Sequence, residues 1–232
     1  MIPLKDNTPR YTFPWIILLV IMINILLFLY ELFLPRASLK GFIENYGVIP
    51  VKFFSLEESS PHQIFSRFSP LLTSIFLHGG WLHLFGNMWF LWVFGDNIED
   101  RMGHLRFLLF YLSCGIAGGM AHIYLNPTSD LPSIGASGAI SGILGAYFIL
   151  YPFSRVLTLV PIFFFFYFVE LPAFFFLGLW FLIQFFSGGI SILAKESMTS
   201  GGVAWWAHIG GFIAGIVFLP FFLLGRKDRR RL

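Results

Sequence analysis

The chain reads as an all-α polytopic membrane protein, a bundle of six transmembrane helices with a long interfacial first loop. Two observations point there. Hydrophobic residues fill 57% of the 232 positions and charged residues only 12%, where an ordinary soluble domain carries roughly 25% charge. Apolar stretches near the roughly 20 residues that a helix needs to cross a bilayer also follow one another, separated by turn-forming or charged residues. Much of the formal +3 charge lies in Arg226-Lys227-Asp228-Arg229-Arg230-Arg231, directly after the last apolar run. Basic residues beside a span anchor its cytoplasmic end more simply than they bind nucleic acid, so no nucleic-acid partner is expected. The single Cys114 excludes an intramolecular disulfide, and its apolar setting reads as packing.

The first span covers residues 13–34. It is longer than a signal-peptide core, and the following Pro35-Arg36-Ala37 is a poor cleavage site. Residues 35–73 form the first loop, where Lys40, Glu44, Lys52, Glu57, Glu58 and Arg67 interleave with Phe42, Val48, Ile49, Phe53, Phe54 and Phe65. That mixture suits short amphipathic helices at the interface, packing on headgroups and bundle or shaping lateral entry of a substrate. The second span, 75–94, carries His78, His83 and Asn87 and ends before Gly95-Asp96-Asn97; His83 and Asn87, four apart, share a helix face. The third, 105–125, is closed by Asn126-Pro127-Thr128-Ser129-Asp130. The fourth, 135–151, ends at Pro152 and is short for a bilayer core, so its first residues start below headgroup level.

Residues 156–192 are almost continuously apolar and exceed one span, with Pro161 and Pro172 dividing them and Glu170 just before the second proline. Two short crossings, a re-entrant segment with one crossing, and an interfacial segment with one crossing all fit. Ser137 opens the fourth span and His208 lies near the start of the last, 205–224. For both ends to share one side of the membrane, a single full crossing must intervene. The fifth span is therefore expected at 171–190, with 156–169 a partial or interfacial apolar segment and 225–232 a basic cytoplasmic tail. An inside N-terminus puts Lys5, Arg10, Arg101, Arg106, Arg155 and the tail on the cytoplasmic side and Lys195 outside. The basic residues of the first loop run against this bias; the tail and the short inner loops run with it.

Ser137, in Gly135-Ala136-Ser137-Gly138, and His208 put a hydroxyl and an imidazole at membrane depth, where an unpaired polar group is expensive. Ser137, Ser141 and Gly145 recur every four residues, as do Gly138 with Gly142 and Gly211 with Gly215. Packing alone accounts for such faces, yet the close helix approach they permit would also bring Ser137 Oγ within about 2.6–3.2 Å of His208. A neutral alcohol is a poor nucleophile; His208 would take its proton and pass it to the leaving amine. No carboxylate is placed to complete a triad, since Asp6, Asp96, Asp100 and Asp228 fall on the inner side, Asp130 in a loop, and Glu170 toward the inner end of the fifth span. A Ser/His dyad follows. The charge developing on an attacked carbonyl oxygen needs directed donors, which Asn87 Nδ2, a His83 nitrogen and the Ser137 backbone N–H would supply. His78 fits a bracing role beside the first loop, and His62, His104 and His122 match no constellation.

His78-Gly-Gly-Trp-Leu-His83-Leu-Phe-Gly-Asn87, Glu99-Asp-Arg101-Met-Gly103, Gly135-Ala-Ser137-Gly138 and Ala207-His208-Ile-Gly210-Gly211, in that order and across successive spans, closely resemble the rhomboid family of intramembrane serine proteases. The resemblance runs from about Phe68 to Leu224. It implies a six-helix core of the bacterial or archaeal type, in a prokaryotic inner membrane with both termini cytoplasmic. Ser137 would be the nucleophile, His208 the base and acid, His83 and Asn87 the oxyanion stabilisers, and Glu99 with Arg101 a structural pair. A cavity opening outward, with the fifth helix and the loop before the sixth controlling access, would admit transmembrane protein substrates from the lipid bilayer, with no metal or other cofactor. A client-binding protein of the same fold has no need for all four polar groups. A small transporter would need polar groups across the membrane depth, although Glu170 leaves that reading a foothold.

Overall fold

The structure, a computed structural model, describes residues 1–55, 60–193 and 203–225. Glu57, Glu58, residues 194–202 with Lys195 among them, and the basic tail from Arg226 onward lie outside these residues.

Helix α1, Trp15–Phe33, buries Ile17, Val20, Asn24, Phe28 and Glu31. Spacings of three and four put these on one stripe against the bundle, while Leu19, Met22 and Leu26 face outward. The first loop folds into α2 (Arg36–Tyr46), α3 (Pro50–Ser55), α4 (Pro61–Phe68) and α5 (Pro70–Thr73), followed by a 3-10 turn at Ser74–Phe76. Ser60 caps α4 by accepting from the Gln63 N–H, with Pro61 in the first turn, where its missing N–H costs nothing. Helix α6 spans Trp81–Met102 and α7 His104–Leu125, joined at Gly103, whose φ of +80° is a conformation suited to glycine. Helix α8, Ser137–Leu150, is buried along nearly its whole length; α9 (Ala173–Leu193) and α10 (Trp205–Leu223) complete the bundle. The most extensive packing is of α10 against α7 and α8.

Two expectations need correction. Beside the helical membrane bundle, the segment expected as partial or interfacial at 156–169 folds into strands: β1 (Ile2–Asp6), β2 (Arg155–Ile162) and β3 (Phe165–Pro172) form an antiparallel sheet in the order β1-β2-β3. The segment from Val156 is rich in β-branched and aromatic residues, and a short apolar run shows no period that separates strand from helix. Pro161 fits because β1 reaches only to Leu159, leaving β2 a neighbour on one side at that point. The hairpin turns at Phe163-Phe164, both more than 90% exposed, with Phe163 at φ +52°.

The second correction concerns the crossings. Among the described residues four helices, α1, α7, α9 and α10, are long and apolar enough by themselves to cross a membrane, where six were expected. Helix α8 has 14 residues, about 21 Å at 1.5 Å per residue against a core of about 30 Å. Surrounded by other helices, it has no need to reach both interfaces. Helix α6 starts later than the expected 75, because residues 74–76 form the 3-10 turn and His78 precedes the helix. It also runs on past Phe94 through Asp96, Asn97, Glu99, Asp100 and Arg101. Those residues are paired: Asn97 donates to Asp6 at 2.8 Å, Arg10 pairs with Asp96 at 3.3 Å, Thr12 donates to Asp100 at 2.6 Å, and Tyr147 bonds Asp6. This polar layer closes the end of the bundle away from Ser137.

Within it Glu99 is fully buried and holds α1 in place. Its two carboxylate oxygens accept from the Ile16 and Ile17 N–H groups, each at 3.0 Å, and one also meets His104 Nδ1 at 2.5 Å. The carboxylate thus satisfies two of the orphan donors at the start of a helix that has no side-chain cap of its own. Glu99→Ala would strand both donors and should lower stability by about 3 kcal/mol, Glu99→Gln by less. Detergent-unfolding midpoints of the purified variants test this.

Candidate active site

The polar residues at the other end converge because backbones touch. A Cβ on Gly211 would sit 2.0 Å from Gly138 O, one on Gly215 2.0 Å from Gly142 O, and one on Gly118 2.6 Å from Ala207 O. Helices α8 and α10 therefore cross at a separation that only glycine permits, with α7 pressed on the same side. Ser137, the first residue of α8, and His208, in the first turn of α10, meet there: Ser137 Oγ lies 2.7 Å from His208 Nε2. Ser141 Oγ donates back to Ser137 O at 2.6 Å, which pairs its buried hydroxyl within the helix.

The connection leading into α8 is clamped by the first loop. Val48 and Ser133 exchange backbone hydrogen bonds of 3.0 and 2.7 Å, and the Gly135 N–H donates to Ser74 O at 2.8 Å. At Gly135, φ is +126° and a Cβ would lie 2.6 Å from His83 Nε2 and 3.6 Å from Asn87 Nδ2. Glycine is required there twice over, by conformation and by space. Both α6 side chains thus reach the approach to Ser137.

Their hydrogen bonding decides what they present. The Gly79 N–H donates to His83 Nδ1 at 3.4 Å, so in the neutral ring the proton sits on Nε2, the nitrogen turned toward Gly135. Asn87 is 7% exposed, and its Nδ2 has no hydrogen-bond partner among the described residues. A buried unpaired donor costs about 1–3 kcal/mol and is tolerated where a ligand atom is to be received. His78 is placed behind this pair, its ring 5.1 Å from that of His83 and its backbone N–H 3.4 Å from each Glu31 carboxylate oxygen. Glu99 and Arg101 are at the far end of α6, Glu99 on α1 and His104, Arg101 in the last turn where a cation suits the helix dipole.

Two partners escaped the sequence reading. His104, which matched no constellation, bonds Glu99. The other is Gln184 on α9, whose Oε1 is 2.6 Å from His208 Nδ1. Its signal was present: Gln184 is the one amide or charged side chain in the whole of α9. A cavity of about 490 Å³ lies away from the serine, under the first loop between Tyr46, Val48, Phe53, Phe65, Arg67 and Leu71.

The rhomboid domain matches residues 65–225, well over half of the chain. RHOMBOID-like protein 5 of Arabidopsis thaliana is 32% identical over 158 residues, 68% of this chain and 45% of that protein. Rhomboid protein 1, mitochondrial, of Saccharomyces cerevisiae is 29% identical over 152 residues, 64% of this chain and 40% of that protein. Rhomboid protease GluP of Bacillus subtilis is 50% identical over 76 residues, 33% of this chain and 14% of that protein. The chain spans less than half the length of each of these relatives. It belongs to the rhomboid family and is a multi-pass membrane protein.

A side chain at Gly211 would have to displace the Gly138 backbone. Gly211→Val should therefore part α8 from α10, lengthen the Ser137–His208 contact and cut covalent labelling of Ser137 by a fluorophosphonate at least tenfold. Labelling rates compared at equal helix content by circular dichroism would check it.

Proposed function

We propose that the protein is an intramembrane serine endopeptidase that cleaves transmembrane protein substrates within or beside their membrane segment. The observation that carries this reading is the 2.7 Å contact of Ser137 Oγ with His208 Nε2 in a chain of the rhomboid family.

In the proposed reaction Ser137 Oγ attacks the scissile carbonyl carbon while its proton passes to His208 Nε2. The carbonyl oxygen, now carrying the charge, is received by Asn87 Nδ2, His83 Nε2–H and the Ser137 backbone N–H; the unpaired state of Asn87 Nδ2 supports that role. His208 returns the proton to the departing amine as the C–N bond breaks, leaving an ester on Ser137. Water, deprotonated by His208, then attacks the ester, and the released Oγ recovers a proton. Gly135 and Gly138 act by yielding space, and His78 by backing His83.

Substrate would enter laterally, between α9 and the rest of the bundle; Leu182, Ile183, Phe185 and Phe186 form an outward apolar face there. In this reading α6 and α8 count as crossings too, which makes six. α6 reaches through the membrane with its polar groups turned inward, and α8 is sheltered by its neighbours. Both termini are cytoplasmic: Arg10, Arg101, Arg106 and Arg155 all belong to the end away from Ser137, and Arg106 donates to Leu224 O at 2.7 Å beside the tail. Assignment to the bacterial or archaeal type and a prokaryotic inner membrane leans on the high local identity to the Bacillus subtilis relative.

Purified protein should cleave a model single-span substrate in detergent, and Ser137→Ala and His208→Ala should each abolish cleavage while the fold is retained. Asn87→Ala should lower kcat by about 10²-fold with little change in KM, since its donor acts on charge that appears only in the transition state. Unchanged cleavage in Ser137→Ala would reject this site.

A further inference from the structure

We propose that Gln184 is the positioning residue of His208, taking the place that a carboxylate holds in a catalytic triad; this rests on Ser137 and His208 being nucleophile and base. An amide in the middle of an apolar helix is costly unless it is paired, and Gln184 is 7% exposed. Its partner is His208 Nδ1 at 2.6 Å. A carbonyl oxygen can only accept, so Nδ1 must carry the ring proton. In the neutral ring that leaves the lone pair on Nε2, which is the nitrogen 2.7 Å from Ser137 Oγ. Without Gln184 the imidazole would divide between two tautomers, and the one protonated at Nε2 cannot accept the serine proton.

The ring is also held in plane by neighbours on the same two helices. Trp180, one turn before Gln184 and on the same face of α9, lies with its ring 6.0 Å from that of His208 at 32°, and Trp205 meets His208 nearly edge-on at 6.4 Å and 85°. Phe181 packs on Phe212 at 4.8 Å beneath them. A chain of hydrogen bonds therefore runs across three helices, from Gln184 on α9 through His208 on α10 to Ser137 on α8. An amide orients the imidazole without bringing a charge to membrane depth, where a buried carboxylate would carry a heavy desolvation cost. It follows that His208 is a competent base only while α9 is docked against α10.

The test uses the full-length protein and its Gln184→Leu and Gln184→Glu variants. Nitrogen NMR of 15N-histidine-labelled protein in lipid, with the His208 signal assigned by its loss in His208→Ala, should show a neutral ring protonated at Nδ1. In Gln184→Leu that signal should split toward the other tautomer, and fluorophosphonate labelling of Ser137 and kcat should each fall about 10²-fold with KM held. Gln184→Glu keeps the acceptor, so it should recover labelling to within a few-fold. A His208 ring protonated at Nε2 in the unsubstituted protein would overturn the proposal, as would an unchanged tautomer and labelling rate in Gln184→Leu, or a loss that Gln184→Glu fails to recover. The tautomer is read without any substrate, so a protein that cleaves nothing would refute the protease reading and leave this result standing on its own.

Discussion

Backbone against backbone, α8 and α10 cross where Gly211 meets Gly138 and Gly215 meets Gly142. Lipid chains are as apolar as leucine, so burial of apolar side chains does not pull helices together inside a bilayer; close van der Waals contact and polar pairing do. The glycines supply the first and the Ser137–His208 hydrogen bond the second. The two are interdependent, because an added methyl group at the crossing would part the two atoms that share this hydrogen bond. The same closeness brings Gly118 of α7 against Ala207 O, so three helices are locked around one point.

Around that point the polar groups sort into two layers. At the end away from Ser137, Asp6, Asn97, Asp96, Arg10, Thr12, Asp100, Glu99 and His104 are paired with one another or with the start of α1. At the other end several buried polar atoms have no hydrogen-bond partner among the described residues, Asn87 Nδ2 and the His78 ring nitrogens among them. Stability accounts for the first layer, since most of its polar groups are paired within it. In the second layer Asn87 Nδ2 leaves a donor free close to a serine whose hydroxyl is hydrogen-bonded to an imidazole. The first loop contributes rigidity to this layer through the Val48–Ser133 and Ser74–Gly135 backbone bonds, which hold the entry to α8. Helix α9 is attached differently, by aromatic contacts and one amide, Gln184.

Much of this was legible in the amino-acid order. Low charge and long apolar runs require a membrane whatever the packing, and small residues four apart mark faces that must come close, so the meeting of Ser137 with His208 could be expected. The hairpin at 155–172 could not, because an apolar strand and an apolar helix differ in what their neighbours do, and the partner strand Ile2–Asp6 lies some 150 residues away. Helix α6 outran its apolar stretch for a similar reason: Asp96, Asn97 and Glu99 look like a boundary in one dimension and become interior once Asp6, Arg10 and the first turn of α1 arrive to pair with them. Gln184 is the sharpest case. Its cost in an apolar helix is readable from its own position, but its use depends on which helix lies opposite, since a hydrogen bond is set by the approach of two groups distant in the chain and only packing brings α9 and α10 together.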